Sequence, residues 1–153
     1  MNMNNFKDLF IKAFLEKGYI SLEVEDETKD AVRFFGSRKI ANTDIECGVL
    51  VDFFEDDENE NTYCVNFVYR FDNVDLTYEY MLKINEYNCN VPFFKAYTYE
   101  YAIENFLTLQ VSTLLSGDVN DLVQTLVDMD DELDSENALP YLNPLFEKNN
   151  YKD

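Results

Sequence analysis

A chain of 153 residues with 46% hydrophobic and 16% aromatic residues suits one domain, residues 1–153, with a core of its own. So many aromatic residues exclude a chain held unfolded by its charge. That charge is extreme: 31 acidic residues against 12 basic ones, no histidine, and a net −19. Such a field repels nucleic acid and anionic membranes and draws in basic partners, or simply keeps a protein in solution. Without histidine, Ser-His-Asp and Cys-His arrangements cannot be assembled within the chain.

In chain order, Phe6, Leu9, Phe10, Ala13 and Phe14 form one apolar stripe at helical spacing. This predicts a helix over 6–17, with Asn4 or Asn5 to cap it and Gly18 at its left-handed end. Ile20, Leu22 and Val24 alternate with Ser21, Glu23 and Glu25, a half-buried strand, and a short segment follows through Val32, Phe34 and Phe35. Ile45, Cys47, Val49, Val51 and Phe53 share one face of a longer strand. Tyr63, Val65, Phe67, Tyr69 and Phe71 share a face of the next, across a charged hairpin loop at 55–61. Leu76, Tyr80, Ile84 and Tyr87 predict a helix over 76–88, capped by Asp75 or Thr77 and stopped by Asn88, Asn90 and Pro92. A second hairpin places Phe93, Lys95, Tyr97, Tyr99 and Tyr101 on one face and Ala96 and Thr98 on the other, then turns near Glu104-Asn105 toward Leu107, Leu109 and Val111. Leu122, Leu126, Met129 and Leu133 predict a third helix over 118–133, and a short apolar piece broken by Pro140 and Pro144 closes the chain. The fold class expected is α+β: an antiparallel sheet with helices packed on one face, in the order helix, strands, helix, hairpin, helix. Leu122, Leu126 and Leu133 should be buried with Phe10 and Phe14.

The first ten residues, MNMNNFKDLF, lack a basic region followed by an apolar run, so no signal peptide is expected. No stretch approaches the apolar length of a membrane span, and the expected location is cytoplasmic. Cys47, Cys64 and Cys89 are widely spaced, form no metal pattern, and are expected as buried, reduced thiols.

The element order, together with the stretch LKINEYNCNVPFFKAY at 82–97, resembles the YbjN-like family, which shares the fold of type III secretion chaperones. The likeness lies in a helix ending in an Asn-x-x-Asn turn, then proline and an aromatic strand. The resemblance implies a small non-enzymatic adaptor or chaperone-like protein, often dimeric, with no catalytic residues to carry over.

For chemistry the residues offer little. The four glycines are scattered and compose no phosphate-binding loop. Residues 128–136 superficially resemble a calcium loop, but the sixth position is Leu133 and the twelfth is Leu139, where such a loop needs Gly and Glu. A solvated helix face is the better reading there, and no cofactor or metal is expected. Tyr97, Tyr99 and Tyr101 lack the flanking cations of a base-stacking platform, so core packing or a dimer interface is expected of them. The acidic clusters are the sharpest candidates for partner binding: Asp56, Asp57, Glu58 and Glu60 in one loop, Asp128, Asp131 and Glu132 in the last helix, and Glu25, Asp26 and Glu27 as a third group. The expected function is a non-catalytic protein-binding module, chaperone-like or adaptor, working as a homodimer that binds another protein and no nucleic acid. The alternative is an acidic nucleic-acid mimic that blocks a DNA-binding protein or nuclease, as phage anti-defence proteins such as anti-CRISPR inhibitors do.

Overall fold

Alternation along the strands decides the architecture. In the computed structural model, which describes residues 3–28, 30–59, 61–72 and 74–147, strands β1 (Ser21–Glu27), β2 (Ala31–Lys39), β3 (Glu46–Glu55), β4 (Thr62–Phe71), β5 (Lys95–Tyr101) and β6 (Glu104–Ser116) make one antiparallel sheet. Their order is β1-β2-β3-β4-β6-β5. Every second residue of β2, β3 and β4 is buried. Val32, Phe34, Val49, Val51, Phe53, Val65, Phe67 and Tyr69 therefore form one wall of the core.

Helices α1 (Met3–Glu16), α2 (Tyr78–Asn90), α3 (Val119–Asp131) and α4 (Leu139–Leu142) supply the other wall, and their inward side chains join the same buried cluster. The α1 stripe enters ring against ring: Phe6 stacks on Phe53 at 4.2 Å between centroids and Phe10 on Phe34 at 4.1 Å. Such pairs add to the burial of some of the largest apolar side chains in the chain. Leu122, Leu126 and Leu133 are buried in the same cluster as Phe10 and Phe14. Gly18, with φ of 109°, closes α1 as expected, the Tyr19 N–H donating to the Phe14 carbonyl at 3.2 Å.

Several boundaries differ from the sequence expectation. Asn4 and Asn5 lie inside the first turn of α1. The Val32 segment is a full nine-residue strand, with Phe34 inward and Phe35 outward. α2 starts at Tyr78 behind the capping Thr77 hydroxyl, leaving Leu76 outside and exposed, and it runs through Asn88 and Asn90. The second hairpin turns at Ala102-Ile103, two residues before the expected place. Asp118 caps α3, which passes into a 3-10 turn at Glu132–Asp134. The final apolar piece docks on the core through Leu142 and Leu145. Cys47 is buried, but Cys64 is half-buried and Cys89 exposed. The apolar neighbours of Cys89 in sequence lie on the inner side of α2, whereas Cys89 lies on the outer side.

Candidate protein-binding surface

All the helices pack on one side of the sheet, so the other side is open. Cross-strand pairing fixes its rows: Phe35 beside Leu50 and Glu23, Leu50 beside Val68, Val68 beside Gln110, and Gln110 beside Lys95. The neighbouring rows add Gly48, Phe54, Cys64, Arg70, Leu114, Tyr97, Tyr99 and Tyr101. Phe35 is 46% exposed, Phe54 42%, Leu114 58% and Tyr101 71%. This places the Tyr97, Tyr99 and Tyr101 row away from the core, which instead takes Phe94 and Ala96 from that segment. Core packing, one of the two uses expected for those tyrosines, is excluded.

The open face has fixed relief. Tyr99 stacks on Phe106 at 5.2 Å, and the Arg70 guanidinium lies over the same ring at 4.7 Å. Arg33 grips Asp52 with Nε to Oδ1 at 2.5 Å and Nη2 to Oδ2 at 3.1 Å. Gln110 joins the Tyr97 hydroxyl at 2.6 Å to Asn66 at 2.8 Å. Between these lies a depression of about 570 Å³, lined by Phe35, Leu50, Val68, Arg70 and Tyr99. It is open because Gly48 puts no side chain there: a Cβ at this position meets nothing within 4 Å.

Charge is apportioned between the faces. The described charges on the open face include Glu23, Glu46, Asp52, Glu104 and Asp72, the last paired with Arg70 at 3.2 Å, against Arg33, Lys39, Arg70 and Lys95. Among these the acids exceed the bases by one, on a chain whose total is −19. The excess acid lies on the helices, loops and rim. Asp56, Asp57 and Glu58 sit in the exposed β3–β4 loop, where the Asp56 carboxylate accepts from the Asn59 amide at 2.8 Å. Glu60 and the side chain of Asp26 lie outside the described residues. Glu27, paired with Lys7 at 2.7 Å, shares that end of the sheet, because Val32 pairs with both Glu27 and Phe53. Asp128, Asp131 and Glu132 are exposed at the opposite end, roughly 25 Å away by strand rise. Asp131 is already engaged by Lys17 at 2.7 Å. The structure thus brings two expected acidic clusters together and keeps the third apart.

One acidic residue passed over in sequence is central to the fold. Asp130 is fully buried. Its carboxylate accepts from the Tyr19 and Tyr69 hydroxyls, from Lys17 Nζ and from Arg38 Nη1, the last at 2.8 Å. Arg38 also reaches Asp134, which accepts from the Ala41 N–H at 2.8 Å. Burial pushes the Asp130 carboxyl upward, but Arg38 and Lys17 outweigh it and hold the group below the usual carboxylate range. The Tyr19 and Tyr69 hydroxyls are raised well above theirs, first by burial and then by Asp130. All of these groups face one another, so the cluster is a satisfied internal clamp between α3, β2 and the end of α1. The signal was available: Leu122, Leu126 and Asp130 are spaced four apart, which puts an acid on the buried stripe of α3.

Among the described residues no group of three or more Cys, Asp or Glu is placed to hold a metal ion, and no helix is long and apolar enough to cross a membrane. Comparison with protein-family models, curated proteins and solved structures returned no match.

Proposed function

We propose that the chain is a non-catalytic protein-binding module, an adaptor or chaperone-like protein, that engages its partner through the open face of the sheet. One observation carries this reading: a chain of net charge −19 keeps a broad face of mixed charge on which Phe35, Phe54, Leu114, Tyr99 and Tyr101 remain exposed. Exposed apolar side chains gathered on one face mark interaction sites; here Phe54 and Leu114 lie in one row and Phe35, Leu50 and Val68 in another, with the polar row Arg33, Asp52, Asn66 and Ser112 between them. The test places a photo-crosslinking residue at Leu50 on the open face or at Asp128 on the helical side. Crosslinks to protein are expected from position 50. Crosslinks from 128 alone would sink the reading.

A second reading is supported by the convergence of Glu27 with Asp56, Asp57 and Glu58 at one end of the sheet. There the acidic rim would occupy a basic groove in place of nucleic acid. Under that reading the crosslinks come from the β3–β4 loop, and binding falls as salt rises.

A further inference from the structure

We infer that the unpaired half of the β6 edge docks an extended segment of another protein, which joins the sheet as a short antiparallel strand with its basic end beside Ser116. This edge is a different surface from the open face, and either can hold a partner without the other. β6 pairs with β4 in unbroken register from Leu107 to Ser116, whereas its pairing with β5 stops at Gln110, opposite Lys95. The two-residue turn makes Tyr101 and Glu104 a hydrogen-bonded pair. The even-numbered residues of β6 therefore turn their N–H and C=O groups toward β5. Ser112, Leu114 and Ser116 point the same way, past the place where β5 begins. Among the described residues no hydrogen bond reaches those backbone groups.

The other edges of the sheet are protected. β1 carries Glu23, Glu25 and Glu27, and its register is broken between Val24 and Asp26. The outer edge of β5 is occupied at Ala96, whose N–H donates to Asn88 Oδ1 at 2.8 Å and whose carbonyl accepts from Asn88 Nδ2 at 2.9 Å. Charges, bulges and covering groups are the ordinary means of blunting an edge. The stretch Val111-Ser112-Thr113-Leu114-Leu115-Ser116 has no charge, no proline and no bulge. The helices leave it open as well: Thr113 pairs with the buried Val65, on the helix side of the sheet, yet is exposed.

The two ends of the stretch define the occupant. Ser116 pairs with Thr62, whose carbonyl accepts from the Asp56 N–H at 2.9 Å, so the acidic β3–β4 loop begins there. Asp118 follows two residues on, and Asp121 lies beside Gly117. At the other end stands Lys95. Every pairing in this sheet is antiparallel. A segment that runs in line with β5 has its N-terminal end by the carboxylates and its C-terminal end by Lys95. Two depressions flank the point where β5 begins. One, of about 530 Å³, is lined by Lys95, Tyr97, Gln110 and Ser112 on the open face. The other, of about 450 Å³, includes Pro92, Phe93 and Val111 in its wall. In strand addition the main chain supplies affinity, and such hollows select alternate side chains. The segment that fits is about five residues long, β-branched or aromatic at alternate positions, with Lys or Arg at its N-terminal end.

The experiment screens a display library of randomised short peptides on the full chain. Enriched peptides are then measured by fluorescence anisotropy on the wild type, Leu114→Pro, Leu114→Lys and Gly48→Glu. Peptides with a basic N-terminal end followed by alternating β-branched or aromatic residues are expected. The Leu114 N–H faces the free edge, so proline there spares the ladder to β4 and should weaken binding about tenfold by removing one main-chain bond. If Leu114→Pro loses the wild-type circular dichroism, Leu114→Lys decides, because a charge on the edge opposes pairing. N-methylation of the peptide backbone should abolish binding at alternate residues and be tolerated between them. The inference is overturned if no peptide is enriched, if the peptides share basic residues without alternation, or if they ignore the Leu114 variants and N-methylation. Loss of binding on Gly48→Glu alone would seat the peptides on the open face and overturn it too. Crosslinks from position 50 test the open face separately.

Discussion

Asp130 concentrates more of the fold's electrostatics than any other single side chain described. Removing one member of a buried ion pair strands the other charge, at a cost of about 3–5 kcal/mol. Asp130→Ala should therefore lower stability by that order in urea unfolding at pH 7, with Arg38 kept partly satisfied by Asp134. The pH dependence has a definite sign. The folded carboxyl is held below its unfolded value, so its contribution is complete above an unfolded value near ~4 and is lost as pH falls through the lower folded value. The stability gap between wild type and Asp130→Asn should thus be constant at neutral pH and shrink below about pH 4. A gap that widens in acid would contradict the clamp. The thiols give a second measurement. Burial pushes the Cys47 thiol up to about 12, while Cys89 is exposed. A thiol reagent at pH 8 should label Cys89 first, then Cys64, and reach Cys47 only on unfolding.

At the scale of elements, the β5–β6 turn and the end of α2 depart most from local preference. A two-residue hairpin turn of type I′ requires positive φ at both positions and favours Asn-Gly. Here Ala102 has φ of 50° and Ile103 of 64°, and a β-branched residue in that region is strained. Replacing Ala102-Ile103 by Asn-Gly should raise stability by about 1–2 kcal/mol, read as a higher unfolding midpoint. Asn88→Ala removes both hydrogen bonds that cover the β5 edge, so it should cost about 1–3 kcal/mol and increase aggregation on heating. This pair of elements also shows what the sequence made legible. Strand alternation named the inward residues of β3 and β4, and helical spacing named those of α1 and α3, because burial on one side leaves a period. The period does not say which side of a strand is covered. In β5 the tyrosines are bulkier than Ala96 and Thr98, yet the helices lie over Ala96. Leu76 fits the spacing of α2 but precedes its cap. The positive φ at Ala102-Ile103 and the partner of Asn88 were illegible for a different reason: both depend on where α2 and the hairpin meet in space. The acidic clusters were legible as charge, but their distribution over the sheet was not, since it follows from strand register.

For the whole molecule, the separation of a face of mixed charge from an acidic remainder makes salt a discriminating variable. For the homodimer that the resemblance implies, two chains of −19 approaching through their open faces bring together little net charge at the contact but carry a long-range repulsion from everything else. That repulsion is screened over ~8 Å at physiological ionic strength and over ~3 Å at 1 M. Self-association through the open face should therefore tighten as salt rises, since apolar contact remains while repulsion fades. Binding of a basic protein to the acidic rim has the opposite sign, because its attraction is what salt removes. Changing Asp56, Asp57 and Glu58 to amides should leave the fold intact, as Asp57 and Glu58 are exposed and the half-buried Asp56 keeps an acceptor oxygen for the loop, and should strengthen the dimer slightly by lowering its charge. Under rim binding the same changes would slow association with a basic partner. Changing Asp128 and Glu132 provides the matched control at the far end, with Asp131 left in place for its ion pair with Lys17. The measurement is the dissociation constant of the wild type and both amide sets over a tenfold range of salt. A dimer that loosens with salt would contradict open-face packing, and one that loosens only when position 48 carries a charge would place the contact there.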